Sequence, residues 1–408
     1  MKKIILLSAI VSTMVIASEP AKPVVEKAAV PAVESQEYGK FTANLRAQYF
    51  TRTFDDKASI GVIGKPDATA FTAGGILKYE SAEYAGLRFG VAYYGSHRVG
   101  TFFTREEGKA TSMLDANGDD LAFIGEAYLE YALGDLNIKV GRQRLATPLA
   151  NDRDLRMLPT SYEAAVVRYS GISDTNIEAA YISRTSGFTS KYNGFEDDSD
   201  KYGLDGIGYV YITNKSIENL ALSIQWGKAL SDLNSSGGTI DVSDYFYADM
   251  NYDIAYGDKS YFKAQTGGNI YNSESNSFMY GAKVGTTVSN IDLALVFNQI
   301  KDNNFKTIQA GPMYTDWQQG YGNYEPSTAF GGQVTFKPLS DLSLKFGYVV
   351  VNAEEDSTID DYSEFNFDGK YAFNNYSSLR VRYSFKDQTD ISKRESRDDF
   401  RIIYYMNF

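Results

Sequence analysis

LRVRYSFK, residues 379–386, and DFRIIYYMNF, residues 399–408, decide the fold. In the first, Leu379, Val381, Tyr383 and Phe385 alternate with Arg380, Arg382, Ser384 and Lys386. In the second, Phe400, Ile402, Tyr404, Met406 and Phe408 alternate with Arg401, Ile403, Tyr405 and Asn407. Successive side chains of a strand point to opposite faces, so each segment has one apolar and one polar face. With the apolar face against lipid, turning strand 379–386 over would push two arginines and a lysine into hydrocarbon, at up to ~2–4 kcal/mol each near the midplane.

Working outward, the alternation recurs at Leu342, Leu344, Phe346, Tyr348 and Val350, at Phe246, Ala248, Met250, Tyr252 and Ile254, and at Leu220, Leu222, Ile224 and Trp226. Period two runs from Gly39 to the last residue and predicts about 18 strands, the first near 40–54 and the last near 398–408. Connections sort by kind. Short ones such as Gly134-Asp135, Gly257-Asp258, Ser289-Asn290 and Pro338-Leu339-Ser340 alternate with long polar ones at 55–68, 96–119, 146–161, 185–202, 229–243, 301–327, 352–362 and 387–397. A β-sandwich has no reason to sort its loops by parity, whereas a barrel inserted from the periplasm has tight turns at one end and long loops at the other. The expected fold class is all-β, a transmembrane antiparallel β-barrel with an even strand count and both termini periplasmic.

The composition agrees. Tyr 32, Phe 24 and Gly 35 are high and Pro 9 is low. A mean hydropathy of −0.33 and the lack of any apolar run of ~18 residues after Ala17 exclude a helical membrane protein. Barrel strands need an apolar residue only at every second position. The chain opens with MKKIILLSAIVSTMVIASEP, two lysines followed by an uncharged stretch from Ile4 to Ala17. That stretch is too short to span a bilayer and reads as a cleavable export signal over 1–17. Residues 18–38, rich in Ala, Pro, Glu, Lys and Val, read as a flexible periplasmic lead-in, which leaves 39–408 for the barrel.

Loss of Lys2 and Lys3 takes the net charge from −12 to −14, and such an acidic balance argues against nucleic acid as a partner. With no cysteine and a single histidine, His97, there is no thiol and almost no imidazole for chemistry, so neither enzyme activity nor a cofactor is expected. Asp115, Asn117, Asp119 and Asp120 superficially resemble a calcium loop, as do Glu196 to Asp198 with Asp200, but Asp120 stands where an EF-hand has its glycine. They read as solvated loop carboxylates, with divalent bridging of loops or lipopolysaccharide as the alternative.

The densest charge cluster is RQRLATPLANDRDLRMLP, residues 142–159, after the fifth strand. Arg142, Arg144, Asp152, Arg153, Asp154 and Arg156, bracketed by Pro148 and Pro159, make a stiff loop. As the third long loop it is expected to fold inward and narrow the bore, its arginines gripping carboxylate or phosphate in bidentate fashion. Alternation also places Arg46, Arg88, Lys139, Arg168, Lys345, Lys370, Arg380, Arg382 and Arg401 on the inner face as a basic arc. Asp249, Asp253 and Asp292 fall on the opposite arc, diluted by Lys263 and Lys283. Two readings stand: opposed walls that orient dipolar solutes, or charges that pair locally. The terminal Phe408 matches the signal read by the barrel-assembly machinery. Tyr93, Tyr131, Tyr169 and Tyr209 suit an interfacial girdle.

The stretch KVGRQRLATPLANDRDLRMLP, residues 139–159, resembles the constriction-loop segment of the outer-membrane porin D (OprD-like) family, near the Campylobacter-type major outer-membrane porins. A glycine-ended strand leads into a proline-bearing loop with Asn151-Asp152 and an Arg-Met-Leu-Pro ending at 156–159. The match is best over 136–169, with a general likeness in strand layout from about 40 to 408. This resemblance implies an 18-stranded, trimeric porin among outer-membrane lipid and lipopolysaccharide. Its constriction would lie at Arg142, Arg144, Asp152, Arg153, Asp154 and Arg156, and its arginine wall would guide small hydrophilic, carboxylate-bearing solutes. The alternative is a structural or adhesive barrel with a closed lumen.

Overall fold

A computed structural model describes residues 38–54, 67–100, 113–115, 118–152, 154, 156–186, 196–197, 206–230, 242–256, 258–272, 274–308, 311–318, 324–355, 357, 359–388 and 396–408. The expected export signal and all but Tyr38 of the lead-in lie outside these residues. Among them the strands are β1 (Lys40–Phe54), β2 (Ala68–Glu80), β3 (Leu87–Arg98), β4 (Leu121–Leu133), β5 (Leu136–Gln143), β6 (Tyr162–Ile172), β7 (Thr175–Thr185), β8 (Glu196–Asp197), β9 (Ile207–Ile217), β10 (Leu220–Ala229), β11 (Val242–Tyr256), β12 (Asp258–Tyr271), β13 (Ser277–Val288), β14 (Ile291–Lys301), β15 (Ser327–Leu339), β16 (Leu342–Ala353), β17 (Tyr362–Ala372), β18 (Ser377–Gln388) and β19 (Arg397–Asn407).

The two-residue β8 pairs only with the end of β7. The other strands form a closed antiparallel barrel of 18 staves, each paired with its sequence neighbours and β1 with β19. Closure leaves no edge, so every wall strand has a backbone partner on both sides, as hydrocarbon requires. The predicted faces hold. Leu129, Val140, Ile224, Leu295 and Phe330 are each more than half exposed on the outside, while Arg382, Ser384, Asp399 and Arg401 are buried inside.

One end carries tight turns, with left-handed backbone at Gly134, Asp174, Asn219 and Ser289, residue types that tolerate it in two-residue hairpins. The expected turn over Pro338-Leu339-Ser340 sits further on, because β15 runs to Leu339, which pairs with Leu342; a register shift after Phe336 accommodates the proline, which has no N–H to give the ladder. At the other end the connections are long, except for residues 272–276 between β12 and β13. Tyr209 is not a girdle residue. It is buried inside, where its hydroxyl donates to Glu178 at 2.6 Å.

Phe408 closes the seam: its N–H donates to the Ala43 carbonyl at 2.9 Å and its carbonyl accepts from the Ala43 N–H at 3.1 Å, with the ring exposed. Deleting Phe408 should lower the yield of heat-modifiable barrel on gels of outer-membrane fractions. Phe408→Ala, which keeps both backbone bonds, separates a seam defect from loss of an assembly signal; full yield of the deletion rules out both roles.

Candidate pore constriction

Residues 144–152, 154 and 156–161, between β5 and β6, turn into the barrel. Leu145, Thr147, Leu149, Ala150, Asp152, Arg156, Met157, Leu158, Thr160 and Ser161 are all buried. At one side the loop is clamped by Arg46 on β1, whose Nη1 and Nη2 donate to Asp154 Oδ1 and Oδ2 at 2.5 and 2.6 Å, and whose Nη1 also donates to the Arg156 carbonyl at 2.9 Å. At the other side Gln225 on β10 accepts from the Leu149 N–H and donates to Thr147 Oγ1, both at 2.9 Å. Along the pairing order β1 and β10 stand almost opposite each other in the ring. The loop is therefore a chord across the bore.

Apolar packing holds the chord. Met157 and Leu158 pack with Phe50, Tyr94, Met113 and Leu114. Leu145 and Ala150 pack with Tyr162, Val166, Ile182 and Tyr209. Leu149 joins Tyr245, Tyr247, Phe305 and Met313. These last two belong to a second inward loop, described at residues 302–308, 311–318 and 324–326. It is fixed to the inner wall by Asn269 on Lys306, by Asn298 on Thr315, and by Gln318, whose Nε2 donates to the Phe367 and Tyr383 carbonyls at 3.2 and 3.3 Å. Trp317 lies over Gly347, where a Cβ would come within 2.6 Å of the indole, so the wall must be bare there.

Beside the chord, guanidinium groups gather from β1, β18, β19 and the loop. Arg144 donates through Nε to Asp152 at 2.7 Å. Arg52 forks onto Asp399 at 2.6 and 2.7 Å, and Arg401 reaches the same carboxylate at 3.2 Å. Arg380 forks onto Asp368, to which Arg382 adds an approach of 3.3 Å. The Phe50 ring lies against three cations, with Arg401, Arg156 and Arg52 Cζ at 4.5, 5.3 and 5.5 Å from its centre. Seven arginines (46, 52, 144, 156, 380, 382 and 401) face four carboxylates (152, 154, 368 and 399), so the named groups carry a net charge of +3.

No family model matches the sequence, and no curated protein does. Solved structures do. OpdO of Pseudomonas aeruginosa matches at a TM-score of 0.72 and 16% identity, over 91% of this chain and 97% of that one. For the outer-membrane protein OpdK of the same organism the figures are 0.76, 14%, 91% and 98%, and for OccAB2 of Acinetobacter baumannii 0.75, 15%, 91% and 98%. The fold is that of the OprD/Occ porins. OpdK has also been solved with vanillate.

Within this OprD/Occ-type barrel, Arg144, Asp152, Asp154 and Arg156 of the expected constriction come together, and Arg153 lies outside the described residues. Arg142 does not join them. It alternates with the inward Gly141 and Gln143 and shares the outer face of β5 with Ile138 and Val140, its Nε donating to Glu163 at 2.7 Å. β5 continues to Gln143, so period two keeps Arg142 outside. Every expected member of the basic arc stands on the inner face, but several are paired: Arg88 with Glu130 at 3.3 Å, Arg168 with Glu178 at 2.6 Å, Arg46 with Asp154, and the β18 and β19 arginines as above. Lys139 lies over the Tyr128 ring, 3.5 Å from its centre. Lys345 and Lys370 face water from β16 and β17.

The acidic arc is interrupted. Asp249 accepts from Ser223 at 2.6 Å and Asp292 from Thr287 at 3.0 Å, Asp253 is exposed, and Lys263 and Lys283 stand on the two strands between Asp253 and Asp292. Local pairs thus interrupt both arcs among the described residues. The partners Asp368, Asp399, Glu130 and Glu178 were missed, although the same alternation marks them as inward. His97 is exposed, between Tyr93 and Asp120.

The two loop carboxylates differ. Burial pushes the pKa of Asp152 up, against the pull of Arg144. Burial acts the same way on Asp154, but Arg46, with Arg144 and Arg380 behind it, holds that group below the usual range. As pH falls, Asp152 loses its charge first, while the Arg46–Asp154 clamp persists until pH passes the lowered value of Asp154. Acidification from pH 7 into the carboxylate range should therefore make the pore more anion-selective with the conductance step intact. Reversal potentials in a salt gradient check this, and a shift toward cations contradicts it.

Proposed function

We propose that the protein is an outer-membrane porin of a Gram-negative bacterium, a water-filled channel for passive diffusion of ions and small hydrophilic solutes that favours carboxylate-bearing anions. The observation that carries this reading is the net-positive arginine cluster beside a loop chord tied to strands on opposite sides of the bore. Guanidinium forks suit carboxylates, and fixed dipoles and charges in a narrow pore set selectivity without an energy source. The likeness in fold to OprD/Occ porins supports the reading, as does the sequence's export signal. On the same reading Arg144, Asp152, Asp154 and Arg156 line the constriction, and Arg153 is a further candidate for it. The mature chain works as a homotrimer delivered by the barrel-assembly machinery.

Planar-bilayer recording of the purified mature protein tests this directly. Stepwise openings that small organic carboxylates block more strongly than amines of equal size are expected. A folded barrel that never conducts would instead fit a closed structural or adhesive role.

A further inference from the structure

Most of the arginine cluster is sealed into the wall. Arg46, Arg52, Arg156, Arg382 and Arg401 are no more than 10% exposed, whereas the side chains of Arg144 and Arg380 are 33% and 30% exposed. A solute in the bore therefore meets two of the seven guanidinium groups directly, Arg144 on the chord and Arg380 on β18, and feels the other five through their field. Arg144 spends Nε and Nη2 on Asp152, and Arg380 spends the same two atoms on Asp368. The Nη1 edge of each is left for a solute.

Tyr405 stands beside Arg380. It is half-buried on the inner face of β19, two residues beyond Ile403 toward the tight-turn end, and its strand partners are Arg46 on β1 and Ser378 on β18. Arg46 Cζ lies 5.3 Å from the centre of its ring. Its hydroxyl is a hydrogen-bond partner of Arg380 and stands close to Arg46 and Arg382. A guanidinium group has donors and no acceptor, so toward all three the phenol oxygen can only accept. Among the described residues no carboxylate or carbonyl receives the phenol's own O–H, which leaves that donor for the bore.

We propose that Tyr405 is a specificity-determining residue of the constriction, its O–H donating to one oxygen of a solute carboxylate whose other oxygen accepts from the Nη1 edge of Arg380. This rests on the porin reading above. A carboxylate has lone pairs enough for both donors, and hydrogen bonds that end on a charged group are the stronger kind. A neutral phenol adds this grip without adding charge, and a channel must bind its solute loosely enough to let it go. The contact sorts anions by their strength as hydrogen-bond acceptors. The field of the buried arginines does not, because it acts on every monovalent anion alike.

The test is the half-blocking concentration, in planar bilayers of the mature protein, of butyrate and of triflate, a monovalent anion of similar size that accepts hydrogen bonds poorly. Tyr405→Phe keeps the ring under Arg46 and removes only the hydroxyl. It should raise the half-blocking concentration of butyrate about tenfold and that of triflate far less. Tyr405→His, which brings an N–H donor back to the site, should recover part of that difference. An equal rise for both anions would mean that the hydroxyl merely steers Arg380, and no rise for butyrate would mean that it touches no solute. Either result overturns the proposal, as does a Tyr405→His variant that holds butyrate no better than Tyr405→Phe. A parent that never conducts would overturn the channel and this inference together, whereas a conducting parent with an unchanged Tyr405→Phe overturns the inference alone.

Discussion

Replacing Arg46 by alanine should raise single-channel conductance severalfold and make the open state noisy. Arg46 is buried and spends its fork on Asp154, with a third bond to the Arg156 carbonyl, so it is the main tie between the chord and β1. Removing one partner of a buried pair costs about 3–5 kcal/mol because the other charge is left behind. Asp154 is partly open to the lumen, its side chain 23% exposed, so the lower end applies. About 3 kcal/mol raises the population of the detached loop by roughly two orders of magnitude. Arg46→Lys keeps the charge but loses the planar fork and should fall between parent and alanine variant. Parental conductance and noise in Arg46→Ala would mean that the apolar anchors Leu149, Met157 and Leu158 hold the chord unaided.

The largest change in selectivity is expected from Arg380→Ala combined with Arg382→Ala. Both side chains converge on Asp368, and Arg380 also supports Asp154. Without them the cluster falls from +3 to +1, and Asp368 loses both of its arginine partners. In a tenfold gradient of dilute KCl the reversal potential should move toward cations by a sizeable part of the ~59 mV ideal limit. The shift should shrink at high salt, where the Debye length falls from about 10 Å at 0.1 M to 3 Å at 1 M. Asp368→Asn should move it the opposite way. An unchanged reversal potential in the double variant would remove the cluster from the permeation path.

Arg142 shows how far periodicity alone could be taken. Lys139 and Arg142 are three residues apart on one strand, so alternation forbids both from facing inward, yet the density of arginines after the fifth strand drew all of them into one loop. Where β5 ends decides the matter: Arg142 precedes the last strand residue and stays outside, whereas Arg144 follows it and turns in with the chain. The second inward loop had a signal of another kind. Residues 302–326 carry Phe305, Ile308, Met313, Tyr314 and Trp317 among polar neighbours, an apolar content that a wholly solvated loop has no use for.

By itself the sequence determined the barrel, the face of nearly every strand side chain and the end at which the long loops lie. Period two is a local property of extended backbone, and exposure to lipid on one side makes any slip by one residue prohibitive. Only the tertiary structure decided what meets inside. That Arg46 clamps Asp154 across more than a hundred residues, that Asp368 and Asp399 neutralise part of the arginine wall, and that the chord reaches Gln225 all depend on how the ring closes and how far each loop reaches. Those contacts join residues distant in the chain, and no repeat along it encodes them.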